Sequence, residues 1–342
     1  MDPVLLLVAL IILVAIGFDF INGFHDAANS IATIVSTRVL TPVQAVAWAA
    51  FFNFVAAFSV GTGVARTVGK DMVHLEYVTP WVILAGLLGA IVWDLLTWWW
   101  GLPTSSSHAL MGGYAGAGMA HVAHLKGLTH SFDALIPAGW TKTLIFIVLA
   151  PMLGMAIAYV MMILVYWLFR NASPKRMDVW FRRAQLVSSA MLSFSHGGND
   201  AQKTAGVITG VLVTAGYLKE FNVPYWVIIL AYLAISGGTL SGGWRIVHTM
   251  GGRLTRLKPR SGFCAETAAA ISIMFATEGM HLPVSTTHVT AGAIAGVGSI
   301  QRLKAVRWGV AANILWAWVL TIPAAAIVGW VCMTAFGFFL GK

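Results

Sequence analysis

The stretches INGFHDAANS (21–30) and SHGGNDAQKT (195–204) decide how this chain is read, because each sets an aspartate among amides inside very apolar sequence. Laid over one another they match at Phe20 and Phe194, Gly23 and Gly197, Asp26 and Asp200, Ala27 and Ala201, and Ser30 and Thr204. The offset from Asp26 to Asp200 is constant across these positions, which marks an internal repeat. A second pair follows in the same order. GLPTSSSHALMGGYAG (101–116) matches HLPVSTTHVTAGAIAG (281–296) at Pro103 and Pro283, Ser105 and Ser285, His108 and His288, Gly112 and Gly292, and Gly116 and Gly296. Two unrelated motifs repeating in one order mean a duplicated chain.

The surrounding composition supplies the setting. Of the 342 residues 58% are hydrophobic and 10% charged, with a mean hydropathy of +0.81. A soluble domain of this length carries about 25% charged residues. Apolar runs at 3–18, 43–65, 80–100, 143–169, 225–240 and 309–336 approach or exceed the roughly 20 residues that cross a bilayer as a helix. The reading is an all-α integral membrane protein with about 10–12 membrane helical elements. Its domains are a first repeat at 1–169, a basic cytoplasmic linker at 170–184 and a second repeat at 185–342. The first run lacks a basic n-region and a small-residue cleavage site, so it is read as a retained helix.

The net charge of +9 does not indicate nucleic acid, because the cations lie in short loops between apolar runs. They cluster at Arg170–Arg183, at Arg245–Arg260 and at Arg302, Lys304 and Arg307, which reads as positive-inside bias with anionic lipid as partner. Five crossings per half put these loops and Arg38 on one side. They also run the halves in opposite directions, the inverted-repeat plan of secondary transporters. Both termini then face the periplasm or exterior of a cell inner membrane. Cys264 and Cys332 are too few for a disulfide framework or a cysteine metal site and read as packing residues.

A carboxylate at a membrane helix centre costs about 3 kcal/mol to insert, and the chain accepts that twice, at Asp26 and Asp200. Gly23, Ala27 and Ala28 in one copy, with Gly197, Gly198 and Ala201 in the other, suit an unwound turn between half-helices whose freed backbone groups bind ions. The repeats differ where Asn29 aligns with Lys203 and where His25 aligns with Asn199. An ammonium at Lys203 either pairs with Asp200 or meets an anionic substrate. His25 brings a group that titrates near physiological pH. Ser105, Ser106, Ser107 and His108, with Ser285, Thr286, Thr287 and His288, follow a proline that opens a helix. Capping needs one hydroxyl and each copy supplies three, so the surplus with free N–H groups reads as an oxyanion cradle. Glu266 is either a proton relay or a charge favoured at a helix start; Asp94 is the other relay candidate. Adjacent Ser and His do not face each other on a helix, which argues against a hydrolase.

These four motifs, with RSGFCAETAAA (260–270), resemble the paired signatures of the inorganic phosphate transporter family over essentially the whole chain. The resemblance implies a symporter, not an enzyme, with phosphate and coupling ions held where the motifs converge. Carried over by position, Asp26, Asn29, Ser30, Asn199, Asp200 and Thr204 match the signature. Ser105, Ser107, His108, Ser285, Thr286, Thr287 and His288 match the second motif. Phe24-His25, Gln202-Lys203 and Asn53 depart from the sodium-coupled pattern and resemble the bacterial low-affinity subgroup. That subgroup implies proton coupling and acceptance of phosphate with a divalent metal, for which Asp26 and Asp200 are the ligand candidates. No resident cofactor is expected; the partners are phosphate, lipid and a second copy of the chain in a homo-oligomer. Sodium coupling, another oxyanion such as sulfate, and an anion channel stand as alternatives.

Overall fold

A computed structural model describes residues 3–301 and 305–339. Arg302 and Lys304, which enter the charge reading, lie outside them. Twelve α-helices make up most of the described chain. In the first half they are α1 (Pro3–Ser36), α2 (Pro42–Val55), α3 (Gly63–Lys70), α4 (Pro80–Trp100), α5 (Ser106–Lys126) and α6 (Pro137–Leu168). In the second half they are α7 (Pro174–Thr214), α8 (Tyr225–Ser241), α9 (Trp244–His248), α10 (Pro259–Met274), α11 (Thr286–Gln301) and α12 (Trp308–Phe339). The two series correspond element by element.

Local sequence fixes many of the ends. Thr41-Pro42, Thr79-Pro80 and Ser173-Pro174 open α2, α4 and α7, the hydroxyl capping a free N–H and the proline taking a position that needs no donor. Gly101, at φ 67°, closes α4 in the left-handed conformation. The basic segment from 170 onward is continuous with α7 from Pro174.

α1, α4, α6 and α12 are each long and apolar enough to span a membrane. The pair α2 and α3 is bent by 85°, and α8 by 61° against α9 and the π turn that follows it. Leucine, isoleucine, methionine and tryptophan side chains of α6 and α12 point outward, as a lipid-facing surface requires.

Bent helix pairs are therefore present, but not where the Asp motifs suggested. α1 and α7 run through Asp26 and Asp200 without interruption. The motif glycines serve packing instead. A Cβ on Gly23 would strike the carbonyl of Ile235 in α8, and one on Gly197 would stand 2.6 Å from the carbonyl of Asn53 in α2. The same close approach is thus made twice, between corresponding helices.

α1 and α7 lie antiparallel. Arg182, near the start of α7, donates to the carbonyls of Thr37 (3.3 Å) and Arg38 (2.7 Å) at the end of α1. Asp26 meets His196 and Asp200 at mid-length, and Thr204 faces Asp19 further along. This one pair of corresponding helices thus runs in opposite directions. The halves also interlock, since α5 packs along α12 and α11 along α6. Two apolar cores, each drawing on both halves, enclose a polar layer between them.

Candidate functional site

The polar layer forms where α5 and α11 begin. Irregular chain at 102–105 leads from the end of α4 to the start of α5, and irregular chain at 281–285 leads to the start of α11. Ser105 Oγ caps the N–H of His108 at 3.2 Å, and Ser285 Oγ caps that of His288 at 3.2 Å. One hydroxyl per copy is spent on capping, as the sequence suggested. Helix N-termini at the centre of the bundle are thus supplied by α5 and α11, not by an unwound Asp motif. Their first N–H groups and dipoles favour negative charge there.

The other hydroxyls meet the aspartates. Asp26 accepts from Ser106 at 3.4 Å and from Thr287 at 3.3 Å. Asp200 accepts from Thr286 at 3.1 Å. Asn29 donates to Thr286 at 3.1 Å and to Thr287 at 2.9 Å. Its counterpart Lys203 donates to Ser107, to Asp200 and, at 3.0 Å, to the carbonyl of Val284. Lys203 thus both pairs with Asp200 and reaches a cradle hydroxyl. His25 bridges Asp26, at 2.7 Å, and Thr97, at 3.1 Å, with Thr104 at 3.3 Å. Every side chain of this constellation is at most 3% exposed, so it is closed to solvent on all sides. The side-chain oxygens Asn29 Oδ1, Asn199 Oδ1, Ser30 Oγ and Thr204 Oγ1 have no hydrogen-bond partner.

Some expected site residues stand back from the centre. Gln202 Oε1 accepts from the N–H groups of Val64 (3.0 Å) and Ala65 (3.4 Å), so it caps α3. Asn53 donates to Thr239 at 2.9 Å and approaches His196 at 3.4 Å. Asn199 donates to Thr277 at 2.7 Å. His108 and His288 meet each other edge to face at 4.8 Å, and His288 stacks on Trp318 at 3.7 Å. Glu266 lies more than a turn inside α10 rather than at its start. It accepts from Thr33 (2.6 Å), Gln185 (2.9 Å) and Ser188, toward the Arg182 end of the bundle.

One central residue was not anticipated. His196 Nε2 lies 3.1 Å from Asp200 Oδ2, and Asp26, His196 and Asp200 offer ligand atoms within 4.8 Å of one another. The repeat offset carries the signal: His196 aligns with Asn22 as Asn199 aligns with His25, so each half holds one Asn and one His three residues apart, in swapped order.

An all-helical bundle with several helices of membrane-spanning length and a charged, buried centre is the form of a multi-pass membrane transport protein. The chain matches the phosphate transporter family over residues 22–329 and belongs to that family. It is 52% identical over 326 residues to a "Probable low-affinity inorganic phosphate transporter" of Rhizobium meliloti, covering 95% of each chain. A protein of the same description from Bacillus subtilis is 43% identical, with 96% of this chain and 97% of that one covered. Among solved structures, "The sodium-dependent phosphate transporter" superposes with a TM-score of 0.88 at 25% identity, over 97% of this chain and 99% of that one. The family and these relatives are transporters rather than enzymes, and phosphate is the family's substrate.

Proposed function

We propose that this protein is a secondary symporter that imports inorganic phosphate with protons by alternating access. The observation that carries the reading is Lys203, an ammonium shared between Asp200 and the Ser107 hydroxyl where the other half has Asn29. An ammonium removes an oxygen ligand for sodium from that half and supplies positive charge to an oxyanion. Phosphate is held between the first turns of α5 and α11 by Ser106, Ser107, Thr286 and Thr287, with Lys203 as counter-charge. Bringing a bare dianion into a dry centre is prohibitive, so neutralisation accompanies binding. Without the coupled cation the loaded carrier does not reorient, and this is what couples the two fluxes.

Asp26, His196 and Asp200 form a donor set of two carboxylates and an imidazole, which suits a divalent first-row cation. This supports phosphate entering with a metal ion as joint cargo. The second reading is sodium coupling, favoured by the unpartnered oxygens of Asn29 and Ser30 beside Asp26. The test is radiolabelled phosphate uptake into proteoliposomes with pH, sodium and magnesium gradients set independently. Accumulation against the phosphate gradient under a pH step supports proton symport and rejects a channel. Accumulation that follows sodium and ignores pH overturns proton coupling.

A further inference from the structure

Asp19 takes no part in the site described so far. It sits on α1 seven residues before Asp26, so both fall on one face of the helix, about 10 Å apart along its axis. Asp19, Asn22, Asp26, Asn29 and Thr33 form one buried stripe, with Asp26 in the middle. Asp19 lies on the side of Asp26 away from the Arg182 end.

The surroundings of Asp19 are unusual for a carboxylate. It is fully buried, and its chain neighbour Phe18 belongs to one of the two apolar cores. Its Oδ1 has a long contact with Asn22 Nδ2 at 3.5 Å, and its Oδ2 has no partner. Thr204 of α7 brings a hydroxyl beside it, and Tyr232 of α8, whose OH has no partner, lies in the same buried region. The charged groups that face it are Asp200 and Lys203 of α7, and these two are already paired with each other. An isolated carboxylate in such a place is far too costly to persist. A carboxylic acid, with neutral oxygens around it, is not.

We infer that Asp19 is a proton-binding site of the transport cycle, set between the Asp26–Asp200 centre and the end of the bundle away from the basic loops. In the closed state it carries the proton as a neutral acid. When water reaches it, the O–H bond breaks, the proton passes to water and the carboxylate is left hydrated; binding reverses the step. This rests on the proton-coupled reading above.

The test compares wild type, Asp19→Asn and Asp19→Glu in proteoliposomes by two measurements: accumulation driven by a pH step, and exchange of labelled for unlabelled phosphate at equal pH. Asp19→Asn is expected to lose more than tenfold in pH-driven accumulation and much less in exchange, while Asp19→Glu keeps most of the pH-driven component. Infrared spectra of wild type carry a carboxylic-acid carbonyl band that Asp19→Asn lacks. Equal losses in both measurements, no loss in either, a defect confined to sodium-driven uptake, or an unchanged infrared band each overturn the proposal. If Asp19→Asn does not assemble, Asp19→Glu and the pH dependence of the wild-type band decide it. Wild type that ignores the pH step refutes proton coupling itself. Wild type that responds while Asp19→Asn responds equally refutes only the role of Asp19.

Discussion

Lys203 of α7 meets Ser107 of α5 as Asn29 of α1 meets Thr287 of α11: the same contact between repeats is drawn twice, once with an ammonium and once with an amide. Ser107 aligns with Thr287 and Lys203 with Asn29, so each half reaches across to the other's cradle. The asymmetry of charge lies at an otherwise symmetric contact, and this makes Lys203 the first residue to test. Lys203→Asn is expected to lower pH-driven phosphate uptake at least tenfold, or to make uptake require sodium. Unchanged uptake with unchanged ion dependence would remove Lys203 from the mechanism.

The Asp200–Lys203 pair is fully buried, so removing one partner strands the other. Asp200→Asn is expected to destabilise the protein by about 3–5 kcal/mol, read as a lower unfolding temperature in detergent. The double variant Asp200→Asn with Lys203→Gln is expected to recover most of that stability without recovering transport. Recovery of transport would show that the pair is only structural.

Glu266 accepts from three donors, Thr33, Gln185 and Ser188. Glu266→Gln puts an amide N–H where an acceptor is needed, and the expected loss is about 1–3 kcal/mol. Thermal unfolding of the purified variant checks it.

Two glycines of α1 separate packing from helix propensity. Gly23→Ala forces a methyl group into the backbone of Ile235 and is expected to abolish assembly. Gly17 has nothing within 4 Å of an added Cβ, and Gly17→Ala is expected to stabilise by up to about 1 kcal/mol. Comparing the yield of folded protein for the two variants is a direct check.

The class of fold was legible because hydrophobic runs and paired motifs are local properties of the sequence. The convergence of Asp26 and Asp200 with Ser106, Thr286 and Thr287 was legible because two copies of each polar motif in an apolar chain have few other uses. The position of the breaks was not. A glycine beside an aspartate has the same spelling whether the helix opens there or a neighbouring backbone presses against it. Gly23 and Gly197 are of the second kind, and only the positions of Ile235 and Asn53 reveal it. The contacts of Gln202 and Asn53 were not legible for a related reason, since an amide that caps a neighbouring helix or bonds across to one has the same spelling as one that faces a ligand. His196 was overlooked because single-copy inspection passes over a histidine whose repeat partner is an asparagine. Asp19 has only Ser193 as its counterpart, so duplication gave it no emphasis.

The packing of α5 along α12 and of α11 along α6 bears on what can move. Neither sequence repeat has a complete interior of its own, because each lends a helix to the other. On the proposed alternating-access cycle, bodies that tilt past one another must then be assembled from pieces of both, and the seam between them does not coincide with the boundary between the sequence repeats. Cutting the chain between Arg170 and Ser173 would give two fragments that are each insufficient alone, and that regain a folded carrier only when made together.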